Sequence, residues 1–320
     1  MPLKKRCRPD ERYTNAPIPG RLNRPENSTN ANIMKLRFLA LTVLLPLISC
    51  KDEPEEIPAY LRVEPFTVNA VGGTGWQKIT EGWIYAGDQF LGGYTLPAVV
   101  PVLATGETDL TVFPGVKENG LKQTPALYPF LERYETKVNL AAAQTTPVQP
   151  STRYADNAVF PWSVDKTTFN ASSVVLENRD SDTATTFVLT TDGAFDGRSV
   201  RMDVNVSHPV IEIATEAVAD IPDSGEKQVW LEMHYQNDMP FELWLLGTQG
   251  SSNELSKAVY QFLPTEKWNK IYFNLTEFVV ALQQDRYRLF FRVSLPKNIN
   301  GNYDQTSGTV LLDNLRLIHF

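Results

Sequence analysis

The residue types that could carry chemistry are few, and their spacing does not suit catalysis. The sequence has only three histidines, His208, His234 and His319. No two of them stand at metal-ligand spacing, and neither a His-Glu-x-x-His nor a Gly-x-Ser-x-Gly motif occurs. A glycoside hydrolase needs two carboxylates about 5–9 Å apart; Glu212, Glu232 and Glu242 lie in strand-like segments, but nothing pairs any two of them. We predict a non-catalytic protein, with a glycoside hydrolase as the enzymatic alternative.

Carbohydrate binding requires a different set of side chains, because a sugar presents both an apolar ring face and hydroxyl groups. Exposed aromatic rings stack on the first, and polar side chains hydrogen-bond the second. In the C-terminal half, a polar and aromatic set lies opposite the apolar residues of alternating segments. The predicted ligand-binding residues are Trp230, Glu232, His234, Glu242, Trp244, Tyr272, Arg288 and Arg292. The alternative is that the two faces are reversed and that Trp230 and Trp244 belong to the core, where tryptophan is usually found.

The segments that carry this set have the pattern of β-strands. Residues 229–236 alternate, so that Val229, Leu231 and Met233 share one face while the polar set takes the other. Residues 270–275 alternate in the same way. Residues 275–284 instead have apolar side chains at helical spacing, which predicts one short helix.

The N-terminal half shows strands and turns as well. Residues 83–85 and 90–91 flank the pair Gly87-Asp88, which is typical of a tight hairpin turn. A further strand containing Leu110 and Val112 is predicted to stop at residues 114–115, a Pro-Gly pair.

The domain organisation follows from a break in this pattern. Residues 141–150 lack aromatic side chains and carry two prolines, so we predict an interdomain linker over 141–154. The predicted fold class is all-β, with two β-sandwich domains: a small Ig-like sandwich at 60–140 and a jelly roll at 155–320.

The first of these domains resembles the small β-sandwich repeats of PEGA type. The positions that carry the resemblance are Gly87, Asp88, Gly92, Pro97, Gly106 and Val112. The resemblance implies an Ig-like sandwich that acts as a spacer.

The second domain resembles a galactose-binding-like jelly roll of the kind found in carbohydrate-binding modules. Three stretches carry the resemblance, at residues 193–202, 267–275 and 310–317, the last with the sequence Leu-Asp-Asn. The resemblance implies that Asp313 helps to bind a structural calcium ion, which takes 6–8 oxygen ligands. Otherwise Asp313 is a turn or edge residue. No other cofactor is expected.

The N-terminus has the features of a bacterial lipoprotein. Residues 34–49 combine a short basic segment with an apolar run too short to span a bilayer, as in a signal peptide. The sequence Leu-Ile-Ser-Cys that ends at Cys50 resembles the lipobox. It implies cleavage before Cys50 and multiple acylation, including palmitate, which would give a durable membrane anchor.

The residues around the signal peptide add to this interpretation. Residues 1–33 are polar and rich in Pro and Asn, so we predict a non-native upstream extension, with an unusually long signal peptide as the alternative. Residues 50–59 are predicted to be an acidic tether, and their Lys-Asp-Glu start resembles the export signal of surface lipoproteins of the Bacteroidota. Residues 182–184, Asp-Thr-Ala, resemble the O-glycosylation motif of secreted proteins from that group, which predicts a glycan on Thr183.

The net charge and the cysteine content exclude some classes of partner and of chemistry. Residues 1–49 carry nine Lys and Arg and three Asp and Glu, so their removal changes the net charge from −7 to −13. Such an acidic chain repels nucleic acid. Once Cys50 is acylated no thiol remains, because the other cysteine, Cys7, is removed.

These observations predict a lipid-anchored binding or scaffold protein of the outer membrane that faces the cell surface, with the periplasmic face as the alternative. Its partner would be a glycan. The other candidate is an accessory lipoprotein subunit of an outer-membrane transport or assembly complex. The sequence does not identify the ligand.

Overall fold

The computed structural model describes residues 56–320. The upstream extension, the signal peptide, Cys50 and most of the tether lie outside the described residues. Within that range the chain is almost entirely β-strand, and no helix is long and apolar enough to cross a membrane. The predicted all-β class is confirmed.

Ten strands build the N-terminal part. They are β1 (Ala59–Val63), β2 (Thr67–Val68), β3 (Glu81–Ala86), β4 (Gln89–Thr95), β5 (Ala98–Val102), β6 (Gly106–Lys117), β7 (Pro125–Leu127), β8 (Tyr134–Leu140), β9 (Thr145–Val148) and β10 (Ser151–Thr152), with a 3₁₀ turn at Thr74–Trp76. One sheet has the order β5-β1-β9, and a second has the order β4-β3-β6-β7 with β8 also paired to β6. Apolar residues of both sheets share one core, so the two sheets form a small sandwich.

The predicted hairpin between β3 and β4 is confirmed, with Gly87 at φ 56° in its two-residue turn. Two other expectations differ from the structure. The strand around Leu110 does not stop at Pro114: β6 continues to Lys117 and pairs with β3 and β7. The segment predicted as a linker contains β9 and β10, which pair in parallel with β1 and β2.

Gly115 remains inside β6 for a packing reason. A Cβ atom at this position would lie 2.0 Å from the Trp83 ring, far closer than any contact allows. We expect Gly115→Ala to lower the free energy of unfolding by about 1–3 kcal/mol, the usual cost of overpacking. Urea denaturation measures it. Gly75→Ala is the control, because a Cβ there meets no atom within 4 Å. Equal costs for the two substitutions would contradict the packing argument.

The C-terminal part holds eleven strands and two helices. The strands are β11 (Leu176–Asn178), β12 (Val188–Thr190), β13 (Ser199–Asn205), β14 (Val210–Thr215), β15 (Val218–Ala219), β16 (Val229–Asn237), β17 (Phe241–Thr248), β18 (Leu255–Phe262), β19 (Thr265–Asn274), β20 (Arg286–Ser294) and β21 (Ser307–His319); the helices are α1 (Val164–Thr167) and α2 (Thr276–Leu282). α2 confirms the predicted short helix.

Two sheets of this part face each other across one apolar core. We call the sheet β12-β13-β21-β16-β19 the junction sheet, and the sheet β11-β14-β20-β17-β18, with β15 on β20, the open sheet. The predicted alternation is confirmed, since Val229, Leu231 and Met233 point into this core. β21 carries a bulge where Asn314 and Leu315 lie opposite one residue of β16, and Asn314 has φ 48°, a conformation that Asn tolerates well.

The two parts share apolar surface. Trp230, Tyr272 and Ile318 lie on the outer face of the junction sheet, and they belong to the core of the N-terminal sandwich. The part of the junction sheet that carries these residues is therefore buried on both faces, whereas the outer face of the open sheet carries only a small buried cluster of Ala214, Leu246 and Phe290.

Candidate functional site

The predicted ligand-binding residues separate onto opposite sides of the C-terminal sandwich. Trp230, Glu232, His234 and Tyr272 lie on the outer face of the junction sheet. The other four lie on the outer face of the open sheet. They are Glu242, Trp244, Arg288 and Arg292.

The first group is buried. The exposed fractions are 2% for Trp230, 0% for Glu232, 3% for His234 and 2% for Tyr272. The N-terminal sandwich packs on Trp230, Glu232 and Tyr272, and Phe195 stacks on His234. A ligand cannot reach these side chains, so the prediction that they bind one is wrong. The predicted alternation is confirmed: these residues point away from the C-terminal core, and residues outside their own sheet bury them.

Glu232 is the centre of a buried polar cluster at this junction. Lys270 Nζ lies 2.8 Å from Glu232 Oε2, and both side chains are almost wholly buried. Tyr128 and Tyr154, both from the N-terminal part, donate their hydroxyl groups to the same carboxylate. Tyr272 donates to the Gln77 side chain and accepts the Lys78 N–H.

The pKa values at the cluster follow from burial and charge. Burial alone would raise the pKa of Glu232, but the charges of Lys270 and Arg316 and the hydrogen bonds outweigh it, so the pKa is lowered. Burial also raises the pKa of both Tyr128 and Tyr154 well above the usual value, which keeps their hydroxyls protonated as donors. The cluster is an electrostatic connection between the two sandwiches.

A second buried pair lies beside it. His234 stacks on Phe195 with ring centroids 3.9 Å apart, and burial followed by the charges of Lys270 and Arg316 lowers its pKa to about 2. Asp313, opposite His234 across the sheet, is fully buried, and burial raises its pKa to about 6.

Asp313 was also the predicted calcium ligand. Its oxygens accept hydrogen bonds from the Ser199 hydroxyl and from the backbone N–H groups of Asp196 and Asn314. Such donors do not fit the shell of 6–8 oxygen ligands that calcium takes. Within residues 56–320, no three His, Cys, Asp or Glu side chains are grouped to hold a metal ion.

The outer face of the open sheet carries two parallel rows of side chains, which we call the aromatic platform. The apolar row runs across three strands as Ala214, Phe290 and Trp244. The adjacent polar row contains Glu212, Arg292 and Glu242, in register on the same strands, and Gln261 on β18. Residues two apart on a strand share a face, which places the rows side by side.

Contacts within the aromatic platform hold its side chains in place. The Trp244 indole donates to Glu242 Oε2 at 2.9 Å. Arg292 Nε lies 2.6 Å from Glu212 Oε1, and its guanidinium stands 5.5 Å from the ring centres of both Trp244 and Phe290. Trp244 is half-buried, whereas Phe290 is 8% exposed. Rigid, partly exposed aromatic and charged groups are what a binding surface needs.

The polar row opens into a cleft. A cavity of about 410 Å³ begins at Glu242, Gln261 and Arg292 and extends to Lys297 and Tyr303, which stand 4.7 Å apart from ammonium to ring centre. Its volume falls within the range of small-molecule sites. Arg288 lies on the same face, where it pairs with Glu177 at 2.6 Å and donates to the Thr215 carbonyl.

Comparison with known proteins gives weak likenesses. No family model matches the chain, and no curated protein matches it. Among solved structures, a family 61 carbohydrate-binding module in complex with β-1,4-galactotriose has 10% identity and a TM-score of 0.32, covering 49% of this chain and 97% of that one. A family 11 module from Clostridium thermocellum has 7% identity and a TM-score of 0.34, covering 47% and 91%.

The enzymatically active domain of tailspike protein 4 from bacteriophage CBA120 has 12% identity and a TM-score of 0.38. That match covers 54% of this chain and only 25% of the tailspike domain. These identities and TM-scores are too low to carry an inference about function.

The sequence prediction did not include four members of the aromatic platform, namely Ala214, Phe290, Glu212 and Gln261. Phe290 stands between Arg288 and Arg292 at the same parity, so the alternation in β20 could have placed it on the outer face. Glu212 lies in an alternating segment as well, where the sequence indicates only a carboxylate on a strand. Thr183, the predicted glycosylation residue, is exposed in the loop after β11, and its modification remains a prediction.

Proposed function

We propose that this protein is a non-catalytic glycan-binding module whose ligand lies across the aromatic platform. The observation that carries the proposal is the half-buried Trp244 beside a row of polar side chains on the outer face of the open sheet. A pyranose ring has an apolar face and a rim of hydroxyls. The half-buried Trp244 suits the first, backed by the buried Phe290, and Arg292 with its two flanking glutamates suits the second.

Each side chain has a separate role in this proposal. Trp244 provides the stacking surface, and its hydrogen bond to Glu242 fixes the ring orientation. Arg292 presents N–H donors, while Glu212 and Glu242 accept from sugar hydroxyls, so that donors and acceptors alternate along the row. The cleft beside Tyr303 gives a longer chain somewhere to continue.

A hydrolase is the less suitable assignment for this face. Glu212 and Glu242 lie on either side of Arg292, on strands two spacings apart. Both glutamates are also engaged within the aromatic platform, one by Arg292 and one by Trp244.

Trp244→Ala tests the proposal. A glycan array identifies a ligand, and calorimetry then measures its affinity. We expect the substitution to weaken binding at least about tenfold, or 1.4 kcal/mol, because a central aromatic anchor is lost. Phe90→Ala is the control, since Phe90 is an exposed aromatic residue on the N-terminal sandwich. An array without any bound glycan, or equal affinities for the two variants, would refute the proposal.

The lipid anchor belongs to the same proposal. Acylation of Cys50 would hold the module at the outer membrane, with the acidic tether between lipid and sandwich. Mass spectrometry of the purified protein tests the modification, and an unmodified Cys50 would contradict it. Protease treatment of intact cells distinguishes the cell surface from the periplasmic face, because only a surface protein is cleaved.

A further inference from the structure

An apolar cavity lies where the N-terminal sandwich meets the C-terminal part. Its volume is about 290 Å³, near the lower end of the range for ligand sites. Ala70 and Val71 contribute one wall, Phe160 and Trp162 contribute another, and Leu317 of β21 closes it. It is separate from the aromatic platform, which is on the opposite sheet.

Among residues 56–320, one charged side chain that lines this cavity has guanidinium nitrogens without a hydrogen-bond partner. Arg316 is 5% exposed, and among the described residues its Nε and Nη2 atoms are buried with no hydrogen-bond acceptor. Its guanidinium stands 5.0 Å from the ring centre of Trp76. Arg153 lines the same cavity but pairs with Glu132 and Asp156, so it differs from Arg316 in having its acceptors already.

The nearby carboxylate does not satisfy Arg316. Glu232 is close enough for the charge of Arg316 to lower its pKa, but its oxygens already accept from Tyr128, Tyr154 and Lys270. A buried guanidinium without acceptors is costly, by several kcal/mol in general. An acceptor supplied from outside the chain removes that cost.

We propose that this cavity binds a small carboxylic acid with an apolar body. The planar guanidinium matches a carboxylate through paired hydrogen bonds, which is the arrangement that arginine favours. The phenylalanine, tryptophan and aliphatic walls suit a single ring or a short hydrocarbon chain, and the volume limits the ligand to about that size. The site is independent of glycan binding.

Calorimetry with benzoate, phenylacetate and 4-phenylbutyrate tests the proposal on the purified protein, with phenylacetamide as the neutral partner of phenylacetate. We expect at least one acid to bind, and phenylacetate to bind at least about tenfold more tightly than its amide, since only the acid pairs with the guanidinium. Equal binding of acid and amide would overturn the proposal. So would the absence of binding by all three acids at millimolar concentration, which would leave water as the partner of Arg316.

Two variants locate the site. Arg316→Gln is expected to abolish the preference for acid over amide. Because that change could unfold the protein, Val71→Asp provides the second test: Val71 is 56% exposed and lines the cavity, so the substitution places a negative charge at the cavity wall.

We expect Val71→Asp to weaken phenylacetate binding at least about fivefold through charge repulsion. Val99→Asp is the matched control, because Val99 is 58% exposed and does not line the cavity. If Val71→Asp and Val99→Asp weaken phenylacetate binding equally, the acid does not bind in this cavity. Trp244→Ala should leave acid binding unchanged, which separates this site from the glycan proposal.

Discussion

Replacing Lys270 with Met is expected to lower the free energy of unfolding by about 3 kcal/mol or more, the usual cost of removing one partner from a buried ion pair. Glu232 has no exposed surface, and Lys270 Nζ at 2.8 Å is its only lysine partner among the described residues. Without Lys270, the carboxylate keeps the two tyrosine hydroxyls but loses a charge in a site that water does not reach. Urea denaturation followed by tryptophan fluorescence measures the loss.

The double variant Lys270→Met with Glu232→Gln provides the control. It removes both charges, and the Gln side-chain oxygen can still accept from Tyr128. We expect the double variant to recover at least about 1 kcal/mol relative to Lys270→Met alone, because the uncompensated charge has gone. A double variant that is no more stable than the single one would show that the pair contributes through packing and not through charge.

The strands and their faces could be predicted from the sequence because alternation is a local property. In β16, the apolar residues Val229, Leu231 and Met233 point into the C-terminal core as expected. Whether the opposite face of a strand is buried or exposed depends on residues far away in the sequence. Trp230 and Trp244 have the same parity and similar neighbours, but the N-terminal sandwich covers the first and leaves the second accessible.

Residues typical of turns gave a wrong prediction where the segment pairs with a distant strand. The linker prediction rested partly on Pro147, but Pro147 lies in β9 at the edge of the order β5-β1-β9. A proline is tolerated at a sheet edge because its missing N–H need not be paired there. The partner of β9 is β1, more than eighty residues earlier, and a local pattern does not reveal it.

The candidate site was accessible to sequence reasoning only in part. Glu242, Trp244 and Arg292 were named, and the structure brings them together on one face. Their contact with Glu212 depends on the order β14-β20-β17, which places a strand from much earlier in the chain beside β20. The buried Glu232 cluster could not be anticipated, since its tyrosines come from the other sandwich.

His234 and Asp313 should give opposite pH dependences of stability. The pKa of His234 is lowered to about 2 in the fold, so its contribution is present above the unfolded value near 6.5 and is lost as the pH falls. The pKa of Asp313 is raised to about 6, so its contribution is present below the unfolded value near 4 and is lost as the pH rises through 6. Between pH 4 and 6 the two slopes oppose each other.

Substituting each residue in turn separates their contributions to the pH dependence of the free energy of unfolding. From pH 7 to pH 4, the stability of His234→Gln relative to the unsubstituted protein should rise by about 3 kcal/mol, since each unit of pKa shift corresponds to about 1.4 kcal/mol. Over the same interval, the relative stability of Asp313→Asn should fall by about 2 kcal/mol. Taking each difference at the same pH removes the contribution of all other carboxylates, so urea denaturation at pH 4, 5, 6 and 7 isolates the two groups. Parallel curves for the variants and the unsubstituted protein would mean that water reaches both side chains, and that the junction is more open than the packing of His234 against Phe195 implies.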